Sequence, residues 1–306
     1  MMFKGVAVAL ITPFTDTGLN FQALEKLLDF HIRAQTECIL LCGTTGESPT
    51  LSHAEHKELI KYSAQYLESA RVHGRFPLLM AGTGSNSTRE ALELTQAAKE
   101  DGADLCLQVT PYYNKPTQNG LLQHFRTLAR EIDIPQVIYN IQGRTAVNVN
   151  LETTLELTQE PNIIGVKEAS GNLTQISETC RLTPDDFFVW SGDDALTLPV
   201  LSVGGHGVIS VSANLIPADV RSMVHHYLEG DMSQALQEHR RMSALNKAMF
   251  IETNPIPVKT AVNLLSQSPN SGLPYSGPMR LPLCDMTPGN IDKLKTCLIE
   301  YGLLPS

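Results

Sequence analysis

The chain has 306 residues, a length that supports one large core or two small ones. Its composition, 42% hydrophobic and 18% charged, is that of a globular protein without a disordered block. The formal net charge of −9, with no run of Lys and Arg, argues against nucleic acid or an anionic membrane surface as a partner.

In chain order, Met1-Met2-Phe3-Lys4-Gly5 leads into an apolar strand over 5–14 that is too short to span a bilayer, and no signal peptide is visible. A helix follows in which Leu24, Leu27, Leu28 and Ile32 form one apolar face. Further strands are expected over 38–43, 77–82, 104–111, 136–140, 163–168, 187–192 and 207–213, each left through Gly, Thr, Asn or Pro. Between the third and fourth, Ala91, Leu94, Thr95 and Ala98 mark a helix ending at Gly102. Capping-box spacing starts two helices, at Ser52 with Glu55 and at Ser87 with Glu90. Beyond about residue 216 the strand signals stop. Helices are expected over 217–228, 233–250, 257–265 and 288–301, with a Pro-rich turn region over 268–282.

Eight alternations of strand and helix imply parallel strands with right-handed crossovers. The polar residues sit at the ends of several strands and no G-x-G-x-x-G follows a strand. That favours a closed (β/α)8 TIM barrel over an open sheet. The expected organisation is α/β, with a catalytic barrel over 1–229 followed by a small C-terminal helical domain over 230–306. The cysteines at 38, 42, 106, 180, 284 and 297 form no C-x-x-C pair, and the first three lie in apolar runs. They read as buried reduced thiols of a cytoplasmic protein with no metal role.

The sixth strand carries the most informative residue. Lys167 ends the apolar run Ile163-Ile164-Gly165-Val166-Lys167, where burial lowers a lysine's pKa toward the range of a free, nucleophilic amine. The alternative is a stem in the core with its head snorkelling to solvent. The other strand ends bring Thr44 and Thr45, Tyr112 and Tyr113, Tyr139 with the nearby Arg144, and Ser191-Gly192-Asp193-Asp194. Amine, phenols, hydroxyls and a guanidinium on one barrel face suit an enzyme that forms an imine with a keto acid.

Three of these stretches carry a resemblance: Gly43-Thr44-Thr45-Gly46-Glu47, Tyr139-Asn140 with Arg144, and Gly165-Val166-Lys167-Glu168-Ala169. They resemble the pyruvate-dependent class I aldolases of the dihydrodipicolinate synthase and N-acetylneuraminate lyase family. Gly204-Gly205-His206-Gly207 and Asn254-Pro255-Ile256-Pro257-Val258-Lys259 extend the likeness along the chain. Thr45, the Tyr112-Tyr113-Asn114 segment and Arg144 look like the synthase branch. The resemblance implies a Schiff base at Lys167 and a proton relay of Tyr139, Thr44 and Tyr113, the last reaching into a neighbouring subunit's site. It implies that Thr45 holds the pyruvate carboxylate and Arg144 that of L-aspartate 4-semialdehyde. Gly192 and Ile209 would offer backbone groups to the substrate, no cofactor is needed, and a homotetramer built as a dimer of dimers is expected. Gln142 stands where the family has proline, which leaves the Arg144 loop less constrained.

His53 and His56 share a helix face without a third metal ligand nearby. In lysine-inhibited members of the family, Ser48, His53, His56, Asn86, Glu90 and Tyr112 match positions that bind L-lysine in a cleft between subunits, away from Lys167. Pro49 replaces a commonly small residue there. The expected activity is therefore condensation of pyruvate with L-aspartate 4-semialdehyde on the way to lysine, feedback-inhibited by L-lysine. The rivals are a sialic acid or 2-keto-3-deoxy-sugar-acid lyase and a non-catalytic small-molecule sensor on the same scaffold.

Overall fold

Eight parallel strands close on themselves in sequence order, β1 pairing with both β2 and β8, in a computed structural model that describes residues 3–70, 77–268 and 271–305. The starting Met1-Met2 and positions 269–270 of the Pro-rich turn lie outside the described residues. The strands are β1 Gly5–Ala9, β2 Cys38–Leu41, β3 Leu78–Gly82, β4 Leu105–Val109, β5 Gln136–Asn140, β6 Ile163–Glu168, β7 Phe188–Ser191 and β8 Gly207–Ser210. Closure is tight where β1 meets β8: a Cβ on Gly207 would stand 1.8 Å from the Gly5 carbonyl oxygen, and its φ of +154° also favours glycine.

The barrel interior is filled by Ala7, Ala9, Cys38, Leu40, Met80, Leu107, Val137, Trp190 and Ile209, while a second apolar layer joins the strands to the surrounding helices. Both faces are buried, which is why the strands read as unbroken apolar runs. The helices are α1 Phe21–Arg33, α2 His53–Ala70, α3 Thr88–Glu100, α4 Gln118–Glu131, the single turn α5 Gln142–Thr145, α6 Leu151–Leu157, α7 Leu173–Leu182 and α8 Thr197–Ser202. After the barrel come α9 Pro217–Leu228, α10 Met232–Ala248, α11 Ile256–Leu265 and α12 Pro288–Tyr301. Asp101 caps α3 and Gly102 follows with φ +98°, the expected helix stop.

Three expectations need correction. The first strand ends at Ala9 rather than 14: the Leu10 amide still donates to the Leu40 carbonyl at 2.9 Å, but the Ile11 amide leaves the ladder for Asn214 Oδ1 at 3.1 Å. The eighth ends at Ser210, where a 3₁₀ turn over Ser212–Asn214 begins. The Ser52–Glu55 capping box forms in both directions, but the Ser87–Glu90 box is half made. Ser87 accepts from the Glu90 amide, whereas the Ser87 amide donates to Ser85 Oγ and the Glu90 carboxylate turns elsewhere.

Candidate active site

Lys167 lies in register between Tyr139 on β5 and Trp190 on β7, so these three side chains share one level of the barrel. Its residue is 5% exposed, and its Nζ stands 4.1 Å from the centroid of the Tyr139 ring. Burial brings its pKa down to about 7, with Arg144 also lowering it and Asp194 opposing the shift. Such an amine is free at neutral pH to a far greater extent than lysine in water. The arrangement therefore supplies a neutral nucleophile without a separate base.

Gly192 makes room for it. A Cβ there would lie 3.1 Å from Lys167 Cε and 2.8 Å from Ala169 Cβ, closer than packed carbons tolerate. The Gly192 amide donates to the Glu168 carbonyl at 2.7 Å, which leaves its own carbonyl as the backbone group it can offer a ligand. Ile209 is buried on β8 among the interior residues.

Tyr139 is buried, and it lines the same cavity as Thr44. Burial raises its pKa to about 12, with Arg144 and Thr44 pulling the other way. The phenol therefore keeps its proton at neutral pH and can pass it on as an acid. Thr45, next to Thr44 in sequence, is buried, its Oγ1 accepting from Asn254 Nδ2 at 3.0 Å. Arg144 follows β5 on the single turn α5 and donates from Nη2 to the Asn254 carbonyl at 3.0 Å. The loop containing Gln142 thus has a defined helical conformation even without the family's proline.

Two further residues were legible only as parts of motifs. Asp194, 4% exposed, accepts from the amides of Val211 and Ser212 at 2.8 and 3.1 Å and from the Ser210 hydroxyl, tying the end of β7 to β8. Glu168, next to Lys167, accepts from Asn140 Nδ2 at 2.9 Å and Ser170 Oγ at 2.6 Å, which pins the ends of β5 and β6 together. No local pattern in the sequence distinguishes either from a solvent-facing acid at a strand end.

A cavity of about 400 Å³ is lined by Thr44, Tyr139 and Arg144 and also by Ser48, Pro49, His53, His56, Glu90 and Tyr112. The two groups of residues share one continuous space rather than two separate clefts. His53 Nε2 lies 3.0 Å from Glu90 Oε1, and Ser85 donates to the other Glu90 oxygen. Hydrogen bonding from Ser85, then from His53, holds the Glu90 carboxyl below its usual range. His56 is buried and donates from Nε2 to the Gly82 carbonyl at 2.8 Å; burial lowers its pKa from the ordinary value, and the bond to Gly82 opposes that shift. Asn86 braces the wall by donating to the Tyr112 carbonyl at 3.2 Å.

Tyr113 stands apart. It has φ +71° and is 90% exposed, outside the cavity of its own chain. Among the described residues no group of three or more His, Cys, Asp or Glu is placed to hold a metal, and no helix is long and apolar enough to cross a membrane.

The dihydrodipicolinate synthetase family model matches residues 2–300. The 4-hydroxy-tetrahydrodipicolinate synthase of Endomicrobium trichonymphae is 50% identical over 304 residues, which cover 99% of this chain and all of that protein. The crystal structure of dihydrodipicolinate synthase from Aquifex aeolicus matches with a TM-score of 0.92 at 46% identity, over 99% of this chain and 100% of that one. The enzyme from Cyanidioschyzon merolae, solved with lysine bound, matches with a TM-score of 0.92 at 41% identity, over 99% of each chain.

Proposed function

This chain belongs to the dihydrodipicolinate synthetase family, and on that premise we propose that it condenses pyruvate with L-aspartate 4-semialdehyde through an imine at Lys167. The product is 4-hydroxy-tetrahydrodipicolinate, at the first committed step toward diaminopimelate and lysine. The observation that carries the reading is the buried, partly neutral Lys167 amine set against Tyr139, which lines one cavity with Thr44.

The amine adds to the pyruvate carbonyl and water leaves, giving the imine. The protonated imine accepts the electron pair left when a methyl proton departs, and the resulting enamine attacks the aldehyde carbon. The semialdehyde's own amine then attacks the imine carbon, closing the ring and releasing Lys167. Tyr139 and Thr44 pass protons at these steps, Thr45 holds the pyruvate carboxylate, and Arg144 takes the second carboxylate. Gly192 and Ile209 supply backbone groups beside the bound keto acid.

Tyr113 completes the relay from a partner subunit. An aromatic ring left 90% in solvent on a left-handed residue has little to pack against among the described residues, and a second copy would cover it. The assembly is a dimer of dimers. L-lysine binds in the cavity lined by Ser48, Pro49, His53, His56, Glu90 and Tyr112, with Asn86 bracing its wall. Glu90 meets the ammonium; that a relative, the enzyme from Cyanidioschyzon merolae, was solved with lysine bound supports lysine as the ligand. The enzyme works in the cytoplasm with its thiols reduced, and Cys38, Cys42 and Cys106 are free and buried.

Borohydride reduction in the presence of pyruvate tests the chemistry. Wild-type protein should gain one reduced pyruvate adduct by mass spectrometry, mapped to Lys167, and Lys167→Ala should gain none while keeping its circular dichroism spectrum. An adduct on the variant would reassign the nucleophile.

A further inference from the structure

We propose that the buried ion pair between Glu47 and Lys259 positions Thr44 and Thr45 for the reaction, so that a helix from the far end of the chain is part of the catalytic apparatus. The inference rests on the reading of Thr45 as the holder of the pyruvate carboxylate. Glu47 ends the turn that carries both threonines and takes φ +55°, a left-handed conformation that a non-glycine residue holds only when its surroundings impose it. Its side chain and that of Lys259 on α11 are both 0% exposed, with Oε1 and Nζ 2.7 Å apart. Lys259 donates a second proton to the Pro278 carbonyl at 2.8 Å and lies 4.2 Å from the centroid of the Phe14 ring. The other Glu47 oxygen accepts from the Arg280 amide at 3.1 Å.

Stability alone does not account for such a pair. Removing two charges from water costs about as much as their attraction returns, and an apolar pair of similar volume often holds a fold equally well. What an apolar pair cannot supply is direction. Four hydrogen bonds, from Lys259 and the Arg280 amide to Glu47, from Lys259 to the Pro278 carbonyl and from Asn254 to Thr45, define where the loop sits relative to Tyr139. Lys167, built into the β6 wall, does not depend on them.

The test is borohydride trapping titrated with pyruvate on wild-type enzyme and on the double variant Glu47→Gln/Lys259→Met, which keeps an acceptor for the Arg280 amide and leaves no buried charge. The double variant should melt within a few degrees of wild type. It should still reach full labelling of Lys167, but with half-saturation by pyruvate raised about tenfold and turnover lowered by at least as much. Wild-type half-saturation and turnover in a folded double variant would overturn the proposal. Wild-type protein that forms no adduct overturns the functional reading and this inference together. If the double variant does not fold, Phe14→Leu decides, because it loosens Lys259 without stranding a charge. A rise of about twofold or more in half-saturation supports the positioning role, and none refutes it.

Discussion

Tyr139 and Lys167 face one another directly across the β5–β6 ladder, with the lysine nitrogen 4.1 Å from the centre of the phenol ring. The contact places the two groups whose protonation states burial drives apart, the amine toward neutrality and the phenol toward holding its proton, in one small volume. Either group alone would be a core residue with an expensive polar end. Together they form an acid beside a nucleophile.

The amine predicts a pH profile. Because the free base is the reactive form and its pKa is lowered to about 7, kcat/KM for pyruvate should climb as pH rises through that value and level off above it. Arg144 is one of the charges that lowers it, so in Arg144→Ala the acid limb should move to higher pH. The same variant should use the semialdehyde far less well while still forming the imine. A limb that stays in place would show that Arg144 does not act on the Lys167 pKa.

Gly192→Ala tests the room around the amine. The added carbon meets Lys167 Cε and Ala169 Cβ, so we expect a stability loss of about 1–3 kcal/mol and trapping of pyruvate slowed about tenfold. Thermal melts and the labelling rate, measured on the same preparation, separate the two effects. Labelling at the wild-type rate would mean the β7 end yields and the close approach carries no chemical consequence.

Tyr113→Phe removes only a hydroxyl and should lower turnover by about 10²-fold with little change in pyruvate binding. If the residue acts across an interface, mixing Lys167→Ala with Tyr113→Phe subunits and allowing exchange should restore part of the activity, since some sites then receive both intact groups. Verified hybrids that stay inactive would place each site within one chain.

L-lysine should inhibit without competing with pyruvate, and Glu90→Ala should relieve that inhibition while preserving the uninhibited rate. Because the proposed inhibitor cavity shares Thr44 and Tyr139 with the proposed substrate site, the coupling should appear mainly in turnover. Full activity at millimolar lysine would remove the regulatory reading, and Pro49 would be the first residue to exchange.

The sequence by itself determined the barrel, because parallel strands buried on both faces must be written as apolar runs broken by glycine, proline and asparagine. It placed β5 and β6 to the residue and set the bounds of α9 and α12, where proline at the start of each helix leaves little freedom. It also marked Lys167, since a lysine ending a buried strand is costly enough to need a reason. Only the tertiary structure decided the partners. Asn254 meets Thr45 across 209 positions and Lys259 meets Glu47 across 212, and no local pattern records which distant atom satisfies a buried hydroxyl or carboxylate. The half-made box at Ser87 has the same cause. Glu90 had two acceptable sets of donors, and the packing of α2 against α3 chose His53 and Ser85 over the Ser87 amide.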